Sequence, residues 1–527
     1  MNNIHEYINA LDYTVVLLYL VVLIGIGFWV SFIKKKKEGE NLFLAGHSLR
    51  WPAIGLTMWG TNVGPSMLVI TAASGFSNGI AAANFSWYAF IFILMLAMVF
   101  APFYKITKVN TLPEFIGKRF NNTSRELLAW YSMVTILITW LGMTLVAGGF
   151  LVSQIMGWPL WIAVSVLVTI GMFFTIAGGL ETIAVTNTFQ MILLIIVSFG
   201  LVITGIVKVG GLSEVYHGVP ADFWTLFRPA SDPDWPWPAI ILGYPVMGIW
   251  FWCTDQSMVQ SVLGAKNLKH GQLGANFIGW LKIIDVPLFV MPGLLCLILF
   301  PNIAAPEEAY ATMVVNLLPN GAIGLVMAVL IAALISTIDS SLNALSTIFT
   351  LDIYVRRFKP KSSQKEIIRT GRVVTLVASF LSVFIAMGIS KLEGRDIFIL
   401  FESILGFLAP PMAAVFMMGV LWKKATPAAA NTVLSVGSVI SIGIGLMSLL
   451  GIPDQEFWPH PLLLVFFIFV GLLVLMFVVS KATSLNYAGS SLPDLRKTIS
   501  QNGNNKLLWF LWILLSVVMV ALYIFFN

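Results

Sequence analysis

The chain has 527 residues, of which 58% are apolar and 10% charged, at a mean hydropathy of +0.90; soluble domains use ~45–50% apolar and ~25% charged residues. This is the composition of an all-α polytopic membrane protein, and at ~20 residues per helix the apolar residues suffice for at most about fifteen spans, leaving no length for an appended kinase, nuclease or ATPase domain. Two cysteines, Cys253 and Cys296, both in apolar runs, exclude a disulfide framework and a zinc cluster.

Apolar runs predict about fourteen helices, near residues 13–33, 51–74, 84–107, 126–156, 158–177, 182–207, 237–257, 275–300, 320–350, 373–390, 396–422, 428–450, 461–480 and 507–526. The first is preceded by Glu6 and Asp12 and followed by Lys34 to Lys37. That charge order is the reverse of a signal peptide, so the segment reads as a retained span with the N-terminus outside. With that assignment, 25 of the 30 Lys and Arg residues fall in the segments 34–50, 105–125, 266–269, 356–372, 423–424 and 481–506, all on the cytoplasmic side. The rest are Lys208, Arg228, Lys391 and Arg395 in outer loops and Lys282 within a helix. The bias predicts an even number of spans with both termini outside. The net charge of +6 is therefore topology, and no nucleic acid is expected as a partner.

Irregular backbone in a bilayer is tolerated where it lines a cavity, so interruptions of the apolar helices are informative. The second span carries Thr61-Asn62-Val63-Gly64-Pro65-Ser66 and the seventh carries Gly243-Tyr244-Pro245-Val246-Met247-Gly248. Five spans separate them, the spacing expected of a five-helix inverted repeat with discontinuous first helices and a midplane site. Two unrelated proline kinks are the alternative reading. Charged residues inside helices, each costing ~2.5–3.5 kcal/mol at a helix centre, are Asp255, Lys282, Asp285, Asp339 and Glu402. Lys282 and Asp285, three apart, can neutralise one another on one helix face.

Several stretches together resemble the sodium:solute symporter family, and within it the sodium/glucose cotransporter branch. They are Leu112-Pro113-Glu114-Phe115 with Lys118-Arg119-Phe120; Gly178-Gly179-Leu180 leading to Thr186 and Gln190; Trp252-Cys253-Thr254-Asp255-Gln256 with Val259-Gln260; Ala265-Lys266 and His270 leading to Lys282; Ile348-Phe349-Thr350-Leu351-Asp352-Ile353-Tyr354; and Phe407-Leu408-Ala409-Pro410-Pro411 followed by Leu421-Trp422-Lys423-Lys424. The similarity runs from about residue 40 to 430. It implies a LeuT-like core of ten helices organised as 1–50 (an extra helix and basic loop), 51–208 (first repeat), 209–236 (outer loop), 237–424 (second repeat) and 425–527 (three further helices).

The resemblance also implies a sodium site formed by carbonyls of Gly60, Val63 and Ala333 and hydroxyls of Ser336 and Thr337. Hydroxyls in membrane helices equally bond back to carbonyls or join helices. Asn187 stands where the family carries Asp, a loss that by itself argues against a second sodium site. Ser336, Asp339 and Ser340 nevertheless share a helix face by their three- and four-residue spacing, so a second sodium position with oxygens from Asn187, Asp339 and Ser340 is the expectation. A helix-joining or proton-carrying role for Asp339 is the alternative. Substrate contacts implied by the family fall on Asn62, Met67, Phe85, Ser86, Trp140, Gly248, Phe251, Trp252, Lys282 and Glu402. Met67, Ser86, Trp140 and Gly248 replace polar residues of sugar-transporting relatives, so the aromatic platform is kept and much of the polar ring is lost.

The expectation is a plasma-membrane symporter, in the inner membrane if the cell is bacterial, coupling sodium to uptake of a small polar solute, a sugar or sugar-like compound. A sugar acid, another organic anion, an amino acid, or a solute-sensing role for the same core are the alternatives. The five histidines lie in tails or loops, so no enzymatic constellation is expected. The expected partners are the solute and the lipid bilayer; protein partners are not readable.

Overall fold

The computed structural model describes residues 8–33, 42–391, 397–484, 492, 498 and 505–527; Lys34 to Lys37, Arg395, Arg496 and Lys497 of the charge count lie outside them. Among the described residues twelve helical segments are long and apolar enough to cross a membrane. Two of these are double. Met67–Ile106 passes through Gly79 at φ 67°, and Leu160–Val209 passes through Gly179 at φ 62°. A straight helix of 50 residues would reach ~75 Å at 1.5 Å per residue, against a hydrocarbon core of ~30 Å. Each double segment is thus two spans meeting at a glycine. With Trp51–Asn62 joined to the helix that follows it, fourteen spans result among the described residues, in line with the approximate number read from the sequence.

The helices that matter for the site are α1 (Ala10–Phe28), α2 (Trp51–Asn62), α3 (Pro65–Asn78), α4 (83–106), the amphipathic α5 (Leu112–Arg119), α6 (122–156), α7 (160–178) and α8 (180–209), α9 (Trp237–Thr254), α10 (Gln256–Leu263), α11 (Leu268–Leu299), α12 (Ala322–Phe358), α13 (Gln364–Ile389) and α14 (Ile397–Leu421). Pro427–Leu450, Pro461–Ala482 and Lys506–Phe525 complete the bundle.

α12 is the most buried of the twelve segments. Its run of Ala332, Ala333, Ser336, Thr337, Ser340, Ser341 and Ala344 lets neighbouring backbones approach closely, which drives helix association where lipid is as apolar as leucine. Glycines facing it do the same: a Cβ on Gly171 of α7 would stand 2.8 Å from Ile338 Cγ2.

The first predicted interruption is present. α2 stops at Asn62, Val63 leaves the helix at ψ 83°, Gly64 is extended, and α3 starts at Pro65. The second lies elsewhere. Residues 243–248 are helical, with Pro245 inside α9, and the chain breaks at Asp255, φ −85° and ψ 129°. Gly243 and Gly248 serve packing: a Cβ would come within 2.0 Å of the Leu462 carbonyl oxygen at the first and 2.3 Å of Phe92 at the second. Asp255 starts α10 by accepting from the Ser257 and Met258 amides at 2.9 and 3.3 Å, a side-chain N-cap.

Candidate cation and solute sites

The break after α2 releases backbone carbonyls. In an intact helix Thr61 O would bond the amide four residues on, but that residue is Pro65, which has no N–H. The Gly64 amide, the helical partner of Gly60 O, instead bonds Asn62 O at 3.1 Å. The Gly60 and Thr61 carbonyls are therefore released from the helical ladder, and that of Thr61 meets α12. Thr337 Oγ1 donates to Thr61 O at 3.2 Å and is within 3.3 Å of Ala333 O. A Cβ on Gly60 would lie 2.9 Å from Ser336 Oγ. That hydroxyl is buried with no hydrogen-bond partner. The structure thus brings Gly60, Thr61, Ala333, Ser336 and Thr337 together in one cluster carrying no formal charge; Val63 lies two residues beyond Thr61, its amide bonded back to the Trp59 carbonyl at 2.8 Å. A buried hydroxyl without a partner costs ~1–3 kcal/mol, and a hard monovalent cation taking its lone pair would remove that cost.

Next to this cluster, Thr61 Oγ1 donates to Ser340 Oγ at 2.9 Å, and Ser340 Oγ reaches Asp339 Oδ1 at 3.4 Å. The other carboxylate oxygen of Asp339, and both side-chain polar atoms of Asn187 and of Gln190, are buried and partnerless. Thr175 of α7 donates to the Asp339 carbonyl at 3.1 Å. Met191, one residue past Gln190, packs against the Gly60 position, so this face of α8 meets the broken helix. Gln190 enters the sequence reading only as part of a motif; its unsatisfied amide is the signal that sequence cannot give.

The predicted solute residues divide. Lys282 of α11 is buried and donates to Asn62 Oδ1 and, at 2.6 Å, to Asp285 Oδ2. Asp285 also accepts from Ser86 Oγ at 3.0 Å and Trp59 Nε1 at 2.8 Å. Lys282 Nζ lies 5.4 Å from the Trp252 ring centroid, a cation–π distance. Phe251 contacts Trp252 and Trp140 with centroids 4.8 and 5.2 Å apart, and the Trp140 indole donates to Asp255 at 3.2 Å. Asn62, Ser86, Trp140, Phe251, Trp252 and Lys282 therefore form one polar and aromatic assembly. Phe85 instead packs on Tyr244 and Trp235, Gly248 faces Phe92, and the Met67 carbonyl is taken by Thr71. Glu402 belongs to α14, and its side chain lies outside the described residues.

Discontinuous helices crossing with unsatisfied oxygens at one cluster and a paired lysine under aromatic rings at the other define a helical membrane transporter. Residues 42–437 match the sodium:solute symporter family, about three quarters of the chain, and the protein belongs to that family. It is 32% identical over 476 residues to sodium/glucose cotransporter 1 of Ovis aries, covering 82% of this chain and 71% of the relative. Against sodium/myo-inositol cotransporter 2 of Bos taurus it is 32% identical over 478 residues, covering 84% and 70%. Among solved structures, a sodium-coupled sialic acid symporter in a substrate-bound outward-open state superimposes with TM-score 0.78 at 21% identity, covering 92% of this chain and all of that one. MhsT in complex with L-phenylalanine gives 0.51 at 16% identity, covering 76% and 98%. The protein is a sodium-coupled solute transporter, and sodium is its coupling ion.

Proposed function

We propose that the protein imports a small neutral polyhydroxy solute, a sugar or a polyol, by alternating access. The observation that carries this is the pairing of Lys282 with Asp285, each 1% exposed and 2.6 Å apart. An acidic solute would need an uncommitted cation, whereas here the ammonium is neutralised within its own helix. What the assembly offers a solute is the aromatic surface of Trp252, Phe251 and Trp140 and the hydrogen-bonding edges of Asn62 and Ser86, a combination that suits a ring bearing hydroxyls. The relatives named for glucose and myo-inositol support the same chemistry. The family resemblance, not the geometry, is the basis for proposing Glu402 as a further solute contact.

The cation position at Gly60, Val63, Ala333, Ser336 and Thr337 is the principal sodium site in this reading, and Asn187, Asp339 and Ser340 form the second. The helices α2 to α8 and α9 to α14 are the two inverted repeats, with the five exceptions of the Lys and Arg count marking the outer face or the core and both termini outside the plasma membrane. One charge entering through 100 mV yields ~2.3 kcal/mol, about fiftyfold accumulation at ~1.4 kcal/mol per factor of ten. The test is uptake of labelled glucose, myo-inositol and gluconate by proteoliposomes under an inward sodium gradient. Sodium-dependent accumulation of a neutral compound is expected; accumulation of gluconate alone would refute the assignment.

A further inference from the structure

A cavity lies away from both clusters, where the ends of α4 and α10 and the start of α11 converge. Its volume is about 350 Å³, and thirteen of the described residues line it. Seven are apolar in character or aromatic at the floor, including Ala101, Tyr104, Val262 and Leu263. The Tyr104 hydroxyl is already committed to the Cys253 carbonyl at 2.7 Å, so the floor offers little polarity. The rim is basic: Lys105, Lys108 and His47 line it, and Lys266 adjoins the lining residues Ala265 and Asn267. Among the described residues no carboxylate lines it. Among the described residues neither Lys105 nor Lys108 makes an ion pair, whereas the nearby Lys118 is held by Glu114 at 2.8 Å.

The backbone is bent to make this rim. Among the described residues three non-glycine positions have positive φ, Ala45, His47 and Lys108; two of them line the cavity and the third is two residues from His47. Such conformations cost ~1–3 kcal/mol each and persist where surrounding structure over-determines them. Here the Lys108 carbonyl is within 3.5 Å of Lys118 Nζ and the His47 ring bonds the Leu263 carbonyl at 3.0 Å. The rim also receives the first turn of α11, whose amide dipoles favour an anion.

We propose that this cleft binds a phosphate-ester anion, with the charged non-bridging phosphate oxygens between Lys105 and Lys108 and the attached glycerol or acyl portion on the apolar floor. An apolar floor under a cationic rim favours an amphiphile over a bare ion, and the rim belongs to one of the segments carrying the basic excess. The site is distinct from the sodium and solute clusters and does not depend on the identity of the solute.

The experiment compares the full-length protein in nanodiscs of phosphatidylcholine with increasing phosphatidylglycerol, reading the melting temperature. The variants are Lys105→Gln with Lys108→Gln, Lys105→Arg with Lys108→Arg, and a control of equal charge loss, Lys361→Gln with Lys365→Gln. Stabilisation by phosphatidylglycerol is expected in the parent, the control and the arginine variant. The glutamine variant should need on the order of tenfold more anionic lipid for the same shift. A second arm adds glycerol 1-phosphate to the detergent-purified protein: protection lost in the glutamine variant would assign a soluble phosphate ester as a source, and protection by lipid alone would assign the headgroup. If the glutamine variant and the control respond alike in both arms, the cleft holds no phosphate and the proposal fails.

Discussion

Thr61 of the broken helix donates to Ser340 of α12 at 2.9 Å, and its chain neighbour Asn62 accepts from Lys282 of α11. One turn of backbone therefore touches the cation cluster with one residue and the solute assembly with the next. Since α2 ends there, a movement that shifts Asn62 on solute binding also shifts the Thr61 carbonyl to which Thr337 donates. In the proposed function the two sites share the residues at the break, which would give sodium and solute a physical reason to bind together.

Replacing Thr337 by Val keeps the volume and deletes the hydroxyl at the Thr61 and Ala333 carbonyls. A hydrogen-bonding group serving a charged partner is worth ~1.5–3 kcal/mol. The sodium concentration for half-maximal uptake should rise at least about tenfold, while the melting temperature without sodium changes little. An unaltered sodium dependence removes Thr337 from the cation site.

Asp285 stands at the centre of the solute assembly, accepting from Lys282, Ser86 and Trp59. Asp285→Asn leaves a buried ammonium without its counter-charge, which costs ~3–5 kcal/mol. The single variant should fold poorly. Adding Lys282→Met should recover most of the folded yield while solute uptake stays abolished. Independent, additive effects of the two changes on thermal stability would show that the pair is not coupled.

The break in α2 was legible because Gly64 and Pro65 are helix breakers in an otherwise apolar run. The break at Asp255 was not, because Gly243, Pro245 and Gly248 upstream imitate one. Those glycines exist for contacts with Leu462 and Phe92, which depend on helices more than a hundred residues away. The local signal that did mark the true position, an Asp followed by Gln, Ser and Met at a helix start, is an N-cap pattern. Likewise the three-residue spacing of Lys282 and Asp285 announced their pair, but the bonds from Ser86 and Trp59 are tertiary. The oxygens that matter at Asn187, Gln190 and Ser336 are recognisable by what they lack, and only packing determines that.

Gly179 joins α7 to α8 at φ 62° and ψ −154°, a region that is essentially glycine-only. A Cβ there would also stand 2.1 Å from the Leu42 carbonyl oxygen, which accepts from the Leu180 amide at 3.1 Å. Gly179→Ala combines ~1–3 kcal/mol of strain with a backbone clash and should sharply reduce folded protein. Gly200→Ala in the same α8, where a Cβ meets nothing within 4 Å, should be neutral. Equal melting temperatures for the two variants would contradict the folded turn at Gly179.

Asp339 carries the last expectation. One carboxylate oxygen is buried without a partner, as are the side-chain amides of Asn187 and Gln190, while its neighbour Ser340 is tied to Thr61. In this chain the carboxyl group sits on α12 and the neutral amides on α8. If a second sodium occupies it, the Hill coefficient for sodium exceeds one in the parent and falls towards one in Asp339→Asn, with solute binding preserved. The measurement is sodium-dependent uptake at saturating solute in both proteins. A parent coefficient of one excludes the second sodium. A sodium-independent current that varies with pH and disappears in Asp339→Asn would instead identify the carboxylate as a proton carrier, because a lone buried acid with no compensating cation is stable chiefly when neutral.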